Sequence, residues 1–103
     1  MIVRSWRGRA PSSNANSYVE FFKRKVLPIL RGIAGFSGVS LLRQNRPSDV
    51  EFLVITRWSS MDAIREFAGD DVGKAVVEPE AAELLASFDP TVEHFEVIEE
   101  MAG

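Results

Sequence analysis

Residues 50–58 read Val50-Glu51-Phe52-Leu53-Val54-Ile55-Thr56-Arg57-Trp58, and this stretch decides the fold. It is rich in β-branched and aromatic residues, as a strand should be. Side chains alternate across a strand, so Phe52 and Val54 share one face while Leu53 and Ile55 share the other. A strand that is apolar on both faces is covered on both.

Working outward, residues 45–49 (Asn-Arg-Pro-Ser-Asp) form a loop, and residues 38–43 before it form a partner strand. Residues 1–8 form another strand, with Ile2, Arg4 and Trp6 on one side. Residues 8–14 are punctuation. A helix follows, capped by Ser13 or Asn14, or by the box Ser17-Tyr18-Val19-Glu20. Tyr18, Phe22, Val26, Ile29 and Ile33 recur at helical spacing and mark its buried face. Pro28 should bend it, and Gly35 should stop it. After the decisive strand, Ser59 or Ser60 caps a helix reaching about Ala68, with Met61, Ile64 and Phe67 inward. Residues 69–78 read as a broken connection. Pro79 opens a short helix ending near Phe88. Asp89-Pro90 turns the chain into a last strand, residues 91–99.

The order β-α-β-β-α-β, with a late extra helix, is the α+β, ferredoxin-like pattern. Two helices on such a sheet cover one face only. Covering the other calls for a second copy of the chain, so the expectation is a homodimer with sheets packed face to face.

With 103 residues, 46% apolar and 26% charged, the chain matches one ordinary domain over residues 1–103 and neither a disordered segment nor a coiled coil. No run of 18 apolar residues exists, which speaks against a membrane helix. The first residues lack a signal-peptide apolar stretch, so a cytoplasmic location is expected. Cysteine is absent, which removes disulfides, thiolate nucleophiles and cysteine-ligated metals. Residues 1–57 carry net +7 and residues 58–103 net −10. A basic half can mark a nucleic-acid-binding arm. The overall charge of −3 opposes phosphate binding, and the two halves are better read as complementary surfaces of one domain.

The runs Phe52-Leu53-Val54-Ile55-Thr56-Arg57-Trp58-Ser59-Ser60, Ala63-Ile64-Arg65-Glu66-Phe67-Ala68-Gly69-Asp70, Ala75-Val76-Val77 and His94-Phe95-Glu96-Val97, together with Arg4-Ser5-Trp6-Arg7-Gly8 and Gly35-Phe36-Ser37-Gly38, resemble the antibiotic biosynthesis monooxygenase domain of the dimeric α+β barrel superfamily. The resemblance spans nearly the whole chain. It implies a ferredoxin-like protomer, a dimer, and a small apolar cavity between sheet and helices. It also implies a choice of activities: cofactor-independent oxygenases acting on aromatic polyketides, haem-degrading monooxygenases, isomerases, and proteins without known activity. The haem-degrading pattern needs an Asn, a Trp and a His. These positions fall near Trp6 or Arg7, on Phe67 and on Val77, and none matches. The resemblance therefore points away from haem degradation and towards a protein that binds a small aromatic or apolar molecule: an oxygenase that uses neither metal nor flavin, or else a non-catalytic ligand-binding or stress-associated dimer, or an isomerase of the same fold.

An oxygenase of that kind needs a base, a group to stabilise an anion, and aromatic walls. His94 is the only histidine. Titrating near neutrality, it is the candidate base, or else a buried structural histidine. Arg4 is the candidate anion stabiliser, or else the partner of Glu93 or Glu96 on the last strand. Trp6, Tyr18, Trp58 and Phe67 are candidate substrate-binding walls, or else plain core. Lys23-Arg24-Lys25 reads as a solvated helix face. Asp70-Asp71 with Glu78 and Glu80 fits no metal loop.

Overall fold

A computed structural model describes residues 1–103. The decisive stretch is β3 (Asp49–Trp58), an interior strand flanked by β1 (Ile2–Pro11) and β2 (Phe36–Asn45), both antiparallel to it. On the far edge of β1 lie two short pieces, β4 (Ser87–Phe88) and β5 (Glu93–Glu96). The order β2-β3-β1-β4/β5, with α1 (Ala15–Phe21) and α3 (Met61–Ala68) as the crossovers, is ferredoxin-like α+β. No helix is long and apolar enough to cross a membrane.

Register sets the inner face. Arg4 stands opposite Thr56, Trp6 opposite Val54, Gly8 opposite Phe52, and Ala10 opposite Val50. On β2, Val39 and Leu41 continue the rows of Thr56 and Val54. Phe52 and Trp58 are completely buried. Leu53, Ile55 and Leu42 point to the opposite face, which no helix covers.

Several boundaries differ from the sequence reading. β1 continues through residues 8–11 because β3 extends to Asp49 and pairs with Pro11. The long first helix is three pieces: α1, a π-helical stretch (Phe22–Val26) and α2 (Leu27–Arg31). Pro28 has no N–H for the carbonyl of Arg24, and the chain meets this with a wider turn in which the Leu27 N–H donates to the Phe22 carbonyl. The helix stops at Arg31, short of Gly35, whose φ of 87° closes the turn into β2. Ser60, not Ser59, caps α3, its Oγ accepting from the Ala63 N–H at 3.2 Å.

The short α4 (Pro79–Leu84) ends before Phe88, because Ser87 and Phe88 are drawn onto the edge of β1. The last strand is shorter than residues 91–99. Its pairing ends at Ile2–Glu96, with one further bond from the Val97 N–H to the Met1 carbonyl. Ile98 and Met101 beyond it are exposed.

Two buried clusters pack on the inner face. One gathers Tyr18, Phe21, Phe22, Phe52, Ala81 and Leu85, with small residues between them. The other is Leu30, Trp58, Ala63 and Ile64.

Candidate functional site

Between sheet and helices lies a cavity of about 80 Å³. Sixteen residues line it, thirteen of them hydrophobic. β1 contributes Arg4 and Trp6, and β3 contributes Val54 and Thr56. The first helical segment contributes Tyr18, Phe21, Phe22, Val26, Ile29 and Leu30. The irregular segment after α3 brings Val76, Val77 and Glu78. Val76 and Ile29 are each 46% exposed and form the rim.

Of the six residues singled out from sequence, Arg4, Trp6, Tyr18 and Phe67 line this cavity. Trp58 does not. It sits behind the wall, fully buried, with its indole N–H donating to Thr56 Oγ1 at 2.8 Å and its ring 5.9 Å from that of Phe67. His94 is not a lining residue either; it stands behind Arg4. The positions to which the haem-degrading pattern maps, Trp6, Phe67 and Val77, do line the cavity. Sequence reading did not single out Val54, Thr56 and Val92. The first two could have been read from alternation, since they lie on the same strand face as Phe52 and Trp58.

Arg4 is the centre of the site. It is 5% exposed, and no carboxylate pairs with it. Of the expected partners, Glu93 adjoins His94 on β5 and strand alternation turns it to the other face, while Glu96 shares the face but stands one pair further along, opposite Ile2; His94 itself is the residue directly opposite Arg4. One Nη1 donates to the Val72 carbonyl at 2.6 Å and meets His94 Nε2 at 3.0 Å, and Nη2 donates to the Lys74 carbonyl at 3.1 Å. The guanidinium carbon also stands 5.9 Å from the Phe67 ring centre. Because guanidinium only donates, Nε2 of His94 accepts and Nδ1 carries the imidazole proton. Burial, and then the charge of Arg4, lower the His94 pKa, so the ring is neutral at neutral pH. Its basic nitrogen is therefore turned to Arg4 and away from the cavity.

Burial also lowers the Arg4 pKa from its ordinary value, though a guanidinium remains charged. Burial raises the pKa of the Tyr18 phenol far above its usual range, which keeps it protonated. Trp6 spends its indole N–H on the Asp89 carbonyl at 2.8 Å. Thr56 Oγ1 donates to the Arg4 carbonyl and accepts from Trp58. The polar groups left for a ligand are thus Arg4 and Tyr18, with Glu78 at the start of α4. No three His, Asp or Glu side chains come together in a way that could hold a metal ion.

No family model matches the chain, and no curated protein matches it in sequence. Solved structures do share its fold. One is a putative antibiotic biosynthesis monooxygenase from Bacillus cereus, 20% identical, covering 99% of this chain and 95% of its own, with a TM-score of 0.70. A heme-degrading protein from Mycobacterium tuberculosis, with two hemes bound in its active site, is 20% identical over 99% of this chain and 100% of its own, with a TM-score of 0.63. The cofactor-independent oxygenase SnoaB from Streptomyces nogalater is 16% identical over 99% of this chain and 98% of its own, also with a TM-score of 0.63. The chain has the fold of the antibiotic biosynthesis monooxygenases. Proteins of that fold differ in their chemistry, and fold alone does not choose among them.

Proposed function

We propose that this protein binds a small aromatic molecule in the helix–sheet cavity and oxidises it with O₂, without a cofactor. The observation that carries this is a buried arginine lacking any carboxylate partner on the wall of an apolar cavity. A desolvated cation left unpaired by the protein is a strong attractor for an anionic oxygen of a ligand. Tyr18 supplies a neutral hydroxyl to a second oxygen, and Trp6, Phe67 and the valines supply the walls.

The chemistry asked of such a site is modest. A ring carrying two hydroxyls reacts with O₂ so that one ring C–H becomes C–O and the second oxygen atom leaves as water. The electrons come from the ring, which ends as a hydroxyquinone, so no external reductant is needed. The protein's part is to hold the electron-rich form in place and exclude water. In this reading His94 is a positioning residue that keeps Arg4 aimed, in place of the base expected from sequence.

The test is oxygen uptake with methylhydroquinone, a single ring carrying two hydroxyls, against the protein-free rate. Uptake accelerated by the protein and reduced in Arg4→Lys supports oxygenation. Uptake at the protein-free rate, with native mass spectrometry showing a small molecule retained on the protein, makes it a non-catalytic binding protein instead. A haem is far larger than this cavity, and the only imidazole is turned to Arg4. Both points favour the small-aromatic reading over haem chemistry.

We also infer that two copies pack through the uncovered sheet face. Leu42 is 46% and Phe95 50% exposed there, alongside Val3, Leu53 and Ile55. Arg7, Arg57, Ser5 and Ser40 share this face, and exposed apolar residues set among polar ones mark an interface that a two-fold pair covers on both copies at once.

A further inference from the structure

The hydrogen bonds around Arg4 and Tyr18 narrow the ligand class. A guanidinium has five N–H groups. Three point at Val72, His94 and Lys74, which leaves the Nε proton and one on Nη2. Tyr18 Oη has no partner within the protein. Every fully buried side-chain nitrogen or oxygen does have a partner. Arg4 Nε and Tyr18 Oη therefore keep accessible surface, and the cavity both side chains line is where they present it.

We propose that the ligand is a hydroxylated single-ring aromatic carboxylate, its carboxylate on Arg4 Nε and Nη2 and its ring hydroxyl against Tyr18. This rests on the cavity being the ligand site. Two free donors on adjacent nitrogens match the two oxygens of a planar carboxylate, whereas a lone phenolate oxygen uses such a fork poorly. The ends of the cavity are set by register. Arg4 lies in the Thr56 row, and the Tyr18 ring lies tilted against Phe52, centres 4.7 Å apart, in the Gly8 row. Four residues of strand separate those rows by about 13 Å, and both side chains reach into that span. The 80 Å³ volume is about half the roughly 150 Å³ of an apolar cavity that takes up benzene, so a single ring enters only as the exposed rim at Val76 and Ile29 moves outward, and fused rings fit worse.

The test is calorimetric titration of the wild-type protein at pH 7.5 with 4-hydroxybenzoate, 4-hydroxybenzamide, benzoate and 4-methylphenol. The acid should bind at least tenfold tighter than the amide, and several-fold tighter than benzoate. Arg4→Lys should erase the first preference and Tyr18→Phe the second. Equal affinity for acid and amide, or binding of 4-methylphenol without the acid, overturns the carboxylate assignment and leaves the cavity as a binding site. Binding of none of the four overturns both. The wild-type series decides even if Arg4→Lys fails to fold.

Discussion

Arg4 and His94 are direct partners across the β1–β5 pairing, with Nη1 and Nε2 3.0 Å apart, although 90 residues separate them in sequence. The contact joins a permanent cation to a ring that must stay neutral to accept from it. It ties the last strand to the wall of the cavity and gives the site its dependence on pH.

Protonating His94 destroys its acceptor and sets two positive charges together. Its folded pKa lies below the ordinary value of about 6.5, so below that pH the unfolded chain binds more protons at this residue than the folded one. Its contribution to stability is complete above about pH 6.5 and is lost as pH falls through the lowered folded pKa. Melting temperatures between pH 7.5 and 5 should fall further for wild type than for His94→Gln. Parallel curves would show that the imidazole is not linked to folding.

Thr56→Val keeps the shape of the side chain and removes the acceptor of the indole N–H of Trp58, a fully buried residue. Leaving that donor unsatisfied should cost about 1–3 kcal/mol. Urea titration should show a lower midpoint with an unchanged slope.

At Gly8 an added Cβ would lie 2.8 Å from the outer edge of the Trp6 ring and 3.2 Å from Leu85. Trp6 cannot swing freely, because its N–H is held by Asp89. Gly8→Ala should therefore cost about 1–3 kcal/mol through overpacking. It should also push Trp6 into the cavity and weaken ligand binding, read by the same calorimetry. Loss of stability with unchanged affinity would show that Trp6 yields away from the cavity.

Leu53 lies on the uncovered sheet face, one residue from fully buried Phe52. Light scattering at micromolar concentration should give the mass of two chains for wild type and of one for Leu53→Asp, with the far-ultraviolet spectrum unchanged. A single-chain mass for wild type removes the dimer.

The fold was legible because its signals are local. Alternation in residues 50–58 follows from peptide geometry, and it correctly separated Phe52 and Val54 from Leu53 and Ile55. Of the stripe Tyr18, Phe22, Val26, Ile29 and Ile33, read from helical spacing, the first four line the cavity, beside Phe21 and Leu30, which the spacing did not mark. The π-helical stretch was less accessible. Pro28 announces a fault in the helix, but whether the chain bends or widens depends on what it packs against.

By itself, then, the sequence determined the α+β order of elements, the inward stripe and the uncovered second face, all products of the short-range periodicity of strand and helix. Only the tertiary structure decided what Arg4 touches. Its partners are the carbonyls of Val72 and Lys74, 68 and 70 residues away, and the ring of His94. Backbone carbonyls are present at every residue and leave no mark in composition. Which of them reaches a buried guanidinium is settled only when the register of β1 with β5 and the path of the irregular segment 69–78 are both in place. The same closure put Trp58 behind the cavity wall and turned His94 from the cavity to Arg4. Those long-range choices separate a cavity that presents a base from one that presents a cation.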